Sequence, residues 1–137
     1  MKKQIAYFCI TMVALILFVS ACKKPAGPGG RATIKGKVYA RDFDNTQNYL
    51  MSSGYSSGTK VYIVYGDNTV VGGKVVTDEN GNYEFKYLHK GKYKLFVNSL
   101  DTSYKVKGNK TQIPVVKEVE IKEPRQVITL EDFVINK

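Results

Sequence analysis

From Arg31 to the C-terminus, apolar side chains recur at every second residue rather than every third or fourth. That period is the strongest constraint on the fold, because it places alternate side chains on opposite faces of extended strands. Ile34, Gly36 and Val38 share one face of a first strand, and Lys35, Lys37 and Tyr39 share the other. KVYIVYG gives a second strand, with Val61, Ile63 and Tyr65 inward. Thr69–Thr77 is a third, interrupted at Gly72-Gly73 by a turn or bulge. In VVTDENGNYEFKYLHKGKYKLFV the Asp78-Glu79-Asn80-Gly81 turn leads to Tyr83 and Phe85 on one face. A second turn at Lys90-Gly91 leads to Tyr93, Leu95 and Val97. Gln112–Lys122 alternates through Ile113, Val115, Val119 and Ile121, and Gln126–Ile135 supplies a last strand. Burying one such large side chain contributes about 1.5–3 kcal/mol. Short, unevenly spaced strands with one apolar face each favour an all-β sandwich over a barrel.

The first 22 residues follow a different logic. Lys2 and Lys3 precede an apolar run from Ile5 to Val19, which ends in Val19-Ser20-Ala21-Cys22. A positive flank, an apolar segment and small residues form the layout of a secretory signal. The run is shorter than the about 20 residues of a membrane-spanning helix. Its last four residues resemble the lipobox of bacterial lipoproteins. The resemblance implies that residues 1–21 are a signal peptide, and that Cys22 is acylated and becomes the first residue of the mature chain. Cys9 would leave with the signal, so no thiol would remain for a disulfide, a nucleophile or a metal site. Residues 22–30, ending in KKPAGPGG, read as the lipidated cysteine and a flexible tether, and residues 31–137 as one small domain.

The formal charge of +9 becomes +7 once Lys2 and Lys3 are removed. A basic surface suits anionic lipid or an acidic polymer through its overall field, although lysines alternating with apolar residues are also what a solvated strand face looks like. No zinc-finger or recognition-helix pattern accompanies the charge, so nucleic acid is not an expected partner. No cofactor is expected, and neither is enzymatic activity. His89, the only histidine, lies at a turn, without the partners of a catalytic triad or a zinc site. Asp78 and Asn80, with Glu79 and Asn82, offer hard oxygen ligands for calcium, but their glycine falls too early for an EF-hand. A hairpin turn explains the same residues.

Two features bear on recognition. Arg41–Gly58 reads as a long loop carrying Phe43, Tyr49, Leu50, Met51 and Tyr55 among polar Asp42, Asn45, Gln47 and Asn48. It has two readings: a lid folded over one end of the domain, or an interaction loop for a protein or a sugar. Tyr39, Tyr62 and Tyr87 fall on outward faces and are candidates for an aromatic platform under a glycan. Tyrosine enrichment is also ordinary in strands.

The order G-K-V-Y, a long loop, V-Y-I-V and then T-D-E-N-G-N-Y-E-F-K-Y-L-H-K-G-K-Y-K-L resembles the transthyretin-like, or carboxypeptidase regulatory-like, domain. It is similar to small lipoproteins of Bacteroidota that carry one such domain. The resemblance spans about Ile34 to Val97 and implies a Greek-key sandwich of seven or eight strands. It carries no chemistry with it, and no attached peptidase is present in this sequence. The expectation is a non-enzymatic, lipid-anchored protein of the bacterial outer membrane with a structural or protein-interaction role. The alternative is a carbohydrate-binding accessory lipoprotein. Lys23-Lys24 matches neither an aspartate-rich retention signal nor the acidic tether of surface lipoproteins, so both a periplasm-facing and a surface-exposed location are open.

Overall fold

The computed structural model describes residues 24–103, 107–108 and 110–137. Cys22 and the expected signal peptide lie outside the described residues. Those described form nine strands: β1 (Pro28–Phe43), β2 (Leu50–Tyr55), β3 (Lys60–Tyr65), β4 (Gly73–Val76), β5 (Asn82–Leu88), β6 (Gly91–Leu100), β7 (Gln112–Ile121), β8 (Val127–Thr129) and β9 (Phe133–Asn136). They build an all-β domain of two sheets, one of five strands around β1 and one of four in the order β4-β3-β6-β7.

β1 is the organising element, 16 residues long and paired along both edges. Within a strand, the N–H and C=O of one residue point to the same side, and neighbouring residues point to opposite sides. Val38 accepts from Ser56 and donates to Gly81, so β2 and β5 follow one another along a single edge. Lys35 and Arg41 accept from Leu130 and Lys137 along the other edge, where β8 and β9 run parallel to β1. The expected single strand over Gln126–Ile135 is therefore two short strands. The chain leaves the sheet at Leu130–Asp132 and returns to pair with the far half of β1.

A common core fills the space between the sheets. Ile34, Val38 and Phe85 from one sheet meet Val61, Ile63, Leu95 and Val97 from the other, all nearly or fully buried. Phe133 of β9 is wholly buried, with its ring 5.8 Å from that of Tyr83. The Tyr83 hydroxyl lies over Gly36, where an added Cβ would come within 2.6 Å of it. That hydroxyl is buried without a hydrogen-bond partner among the described residues. Burial pushes its ionisation far above the ordinary phenol range, with the Asp132 carboxylate adding to the shift.

The expected tether is shorter than its composition indicates. β1 begins at Pro28, inside the 22–30 segment, and Ala26 packs against the core. The Tyr93 hydroxyl accepts from the Gly27 N–H at 3.0 Å and donates to the His89 carbonyl at 2.6 Å. The His89 N–H in turn donates to the Gly27 carbonyl at 2.9 Å. This clamp ties the start of the described chain to the β5–β6 turn.

Two substitutions separate packing from polar satisfaction. Phe133→Ala should cost about 3–5 kcal/mol by leaving a cavity between the sheets. Tyr83→Phe should instead stabilise by about 1 kcal/mol, because it removes an unsatisfied buried hydroxyl while keeping the ring. Urea denaturation of both variants measures the two effects directly.

Candidate functional site

The expected loop over Arg41–Gly58 is for the most part a β-hairpin. β1 runs to Phe43, β2 starts at Leu50, and only residues 44–49 connect them. Asp44 makes that turn. Its Oδ1 accepts from the backbone N–H groups of Asn48 (2.9 Å) and Tyr49 (3.0 Å), and its Oδ2 accepts from the Thr46 hydroxyl at 2.5 Å. These bonds, the Thr46 hydroxyl first and the Tyr49 amide next, hold the Asp44 carboxyl down to about 2.

The hairpin does not fold back as a lid. Tyr49, Leu50 and Met51 are 72%, 54% and 70% exposed, and among the described residues β2 pairs with β1 alone. Ser56 bonds back to Val38, so by alternation Ser52 and Gly54 also face β1. The backbone groups of Ser53 and Tyr55 point away, along an edge that is free among the described residues. Phe43 is only partly buried beside the hairpin turn, where a bulge shifts the register between Asp42 and Phe43.

The tyrosines expected to form one platform are separated. Tyr39 lies directly opposite Tyr55 on the outer face of the first sheet, with the rings edge to face at 5.6 Å. The Tyr39 hydroxyl donates to Ser53 Oγ at 3.0 Å, and the Lys37 ammonium covers one face of Tyr55 at 4.4 Å. Charge repulsion from the nearby Asp132 carboxylate, then a hydrogen bond to it, raises the Tyr55 ionisation. Tyr62 belongs to the other sheet and stacks on Phe96, its cross-strand neighbour, at 4.9 Å and 16°. That spacing matches the distance between adjacent strands. The two rings therefore stand face to face with edges outward, and present no flat platform. Tyr87 is 70% exposed at the end of β5 and has no ring contact with either cluster among the described residues. Its φ of +59° is a left-handed conformation that tyrosine rarely adopts.

The calcium candidates make a turn. Asp78 Oδ1 accepts from the N–H groups of Asn80 and Asn82 at 2.9 and 2.8 Å, and its Oδ2 accepts from the Asn82 amide at 2.9 Å. The Asn82 side chain first, then its backbone, lowers the Asp78 ionisation. Among the described residues, no group of three or more His, Cys, Asp or Glu side chains is placed to hold a metal ion. His89 lies beside Gly29, and its backbone belongs to the Tyr93 clamp.

The free edges differ in chemistry. β7 is an edge of the second sheet and carries Pro114 with Lys117, Glu118 and Glu120. Lys117 points toward the core side, its ammonium 5.5 Å from the Phe133 ring and 3.7 Å from Glu131. Proline and inward-facing charge blunt an edge against pairing. β2, LMSSGY, has neither proline nor charge. Composition alone did not reveal this strand, since serine, glycine and exposed apolar residues read equally well as loop.

No protein-family profile matches the chain, and no curated protein matches it. Among solved structures, PA1324 of Pseudomonas aeruginosa, a carbohydrate-binding protein by proposal, is similar over 85% of this chain and 93% of its own. The identity is 14% and the TM-score 0.45. BcpA, the major pilin subunit of Bacillus cereus, is similar over 79% of this chain at 19% identity and a TM-score of 0.44. This chain spans 30% of the pilin's length. At TM-scores below 0.5, neither likeness fixes a fold family or carries a function across.

The Asp44 turn makes the hairpin sensitive to acid. A carboxyl whose ionisation is lower in the folded state than its ordinary 3.8 stabilises the turn above about pH 4. That contribution is lost as pH falls toward 2. The Asn48 and Tyr49 amide resonances should titrate with a midpoint near 2, and Asp44→Ala should speed their hydrogen exchange at neutral pH. An Asp44 titration at the ordinary carboxylate value would contradict the assigned bonds.

Proposed function

We propose that the protein is a non-enzymatic, lipid-anchored protein of the bacterial outer membrane that binds an extended segment of an envelope protein along the β2 edge. The fold assignment that goes with this reading is a transthyretin-like Greek-key sandwich. The observation that carries the proposal is the free, uncharged edge of β2, with Leu50, Met51 and Tyr55 exposed around it. An exposed strand edge offers backbone donors and acceptors to a partner strand, and flanking side chains add selectivity. No cofactor takes part. The acyl group on Cys22 supplies the membrane attachment, and the partner's chemistry is that of a β-strand donor.

A second reading, a carbohydrate-binding accessory role, draws on the cluster of Tyr39, Tyr55, Lys37 and Asp132. An exposed aromatic ring beside cationic and anionic groups is a usable sugar contact. It is the weaker reading, because Lys37 already occupies one face of Tyr55 and the two rings are edge to face.

Ser53→Pro distinguishes them. It deletes a backbone donor that points away from β1 and, among the described side-chain bonds, the exposed one from Tyr39, so the hairpin should survive. A photocrosslinking residue at Met51 should capture one discrete envelope protein in intact cells, and Ser53→Pro should abolish that product with little change in melting temperature. Undiminished capture by the proline variant would exclude strand pairing. Retention on insoluble polysaccharide, lost in Tyr55→Ala but not in Ser53→Pro, would establish the glycan reading instead.

A further inference from the structure

The opposite end of the domain from the β2 hairpin has a composition of its own. β1 starts there, β5 ends there at Leu88, and β7 ends there, since Ile121 pairs with Gly91 at the start of β6. The β3–β4 connection also turns there, because Tyr65 pairs with Tyr93 and the Gly66 N–H donates to the Lys92 carbonyl. Lys24, Arg31, Lys90, Lys92 and Lys122 line an open cleft between these elements, and Arg125 lines the adjoining groove. The acidic groups beside them are Asp67, Glu120 and Glu123, half as many. Among the described residues, none of the six basic side chains is held in an ion pair.

Exposed apolar side chains lie on the same elements as this basic cleft. Tyr87 precedes Leu88, a cleft residue, and projects from its left-handed backbone at 70% exposure. Val70 and Val71, in the β3–β4 connection, are exposed as well. An aromatic ring with a polar tip, short apolar side chains and unpaired lysine and arginine form the set that partitions to a membrane–water boundary.

The chain outside the described residues leaves from the same place. Lys24 and Pro25 line the cleft, and Ala26 and Gly27 are fixed by the core and the Tyr93 clamp. Cys22 is four residues upstream of Ala26, a reach of at most about 14 Å. Resting on the anchored reading of Cys22, we infer that this end is a docking surface for anionic lipid headgroups. It would seat the domain on the bilayer and point the β2 hairpin away from it.

The chain has no tryptophan, so one introduced residue reports on its own position. The acylated protein carrying Tyr87→Trp is placed in vesicles of phosphatidylglycerol and phosphatidylethanolamine that contain shallow brominated lipid. The expected result is blue-shifted, quenched emission, with Tyr49→Trp unquenched under the same conditions. Equal quenching at the two positions, or none at Tyr87→Trp, overturns the inference. So does quenching that persists undiminished in phosphatidylcholine vesicles, because it would not depend on anionic headgroups.

A second arm removes the anchor. The mature chain, residues 22–137 carrying Cys22→Ser and so without the apolar run Ile5–Val19, should bind the phosphatidylglycerol vesicles, and Lys90→Glu, Lys92→Glu and Lys122→Glu together should weaken that binding about tenfold or more. Binding unchanged by these reversals overturns the surface. Mass spectrometry of the Cys22 peptide reports acylation separately. An unmodified Cys22 would retire the anchor, while the charge-reversal result would still decide the surface.

Discussion

Both edges of β1 are occupied over most of its length, and the rest of the architecture follows from that. A strand of 16 residues is longer than any of its partners. Each edge is therefore covered by two partners in succession, β5 then β2 on one side and β8 then β9 on the other. β1 contributes Ala32, Ile34, Val38 and Ala40 to the shared core. Its last residues extend toward the hairpin, where Asp42 and Ser52 meet through an exposed side-chain hydrogen bond. One strand thus joins the core to the hairpin, whose turn is held by the Gly108 N–H bond to the Asn45 carbonyl and by buried Gln47.

That division sets up two chemically different ends. At the hairpin end, the outward backbone groups of β2, a strand without charged residues, suit strand pairing, which draws on directional hydrogen bonds. At the other end, unpaired basic groups and exposed apolar residues surround the point where the N-terminal segment departs. The Tyr93 hydroxyl bonds two backbone groups there, so the lead into residues 1–23 is fixed in direction up to Ala26. The outer face of the second sheet plays a different part. Tyr62 and Phe96 spend their ring faces on each other, and the Lys94–Glu118 ion pair lies across neighbouring strands on the same sheet. That face is packed for sheet stability, consistent with the modest value of exposed ion pairs and the larger value of aromatic cross-strand contacts.

The alternating core strands were legible because one face of each is buried. Val61 and Ile63, Tyr83 and Phe85, and Tyr93, Leu95 and Val97 all point inward as their spacing requires. β2 was hidden for the same reason in reverse: its residues are mostly exposed, so no alternation marks it. Pro28-Gly29-Gly30 reads as linker, and becomes strand only through contacts with Leu88 and its neighbours. The break between β8 and β9 depends on β1 presenting two successive docking stretches, which no local pattern encodes. Of the loop residues, Tyr49, Leu50, Met51 and Tyr55 are exposed, and Phe43 is partly buried. The pairing of Tyr39 with Tyr55, and of Tyr62 with Phe96, depends on register and was not legible. The left-handed backbone at Tyr87 had no signal, since glycine is the residue that ordinarily marks such a position.

Amide hydrogen exchange resolved to single residues tests the central claim, that β1 is saturated on both edges while β2 keeps one edge free. The account predicts slow exchange at the even positions of β1 from Ile34 to Ala40, and at Thr33, Lys35, Tyr39 and Arg41, which face β8 and β9. In β2 it predicts slow exchange at Ser52 and Gly54 and fast exchange at Ser53. Fast exchange at alternate β1 positions would remove β8 and β9 from its second edge. Protection of Ser53 equal to that of Gly54 in the isolated protein would show the β2 edge already covered, and would contradict its role as a docking edge.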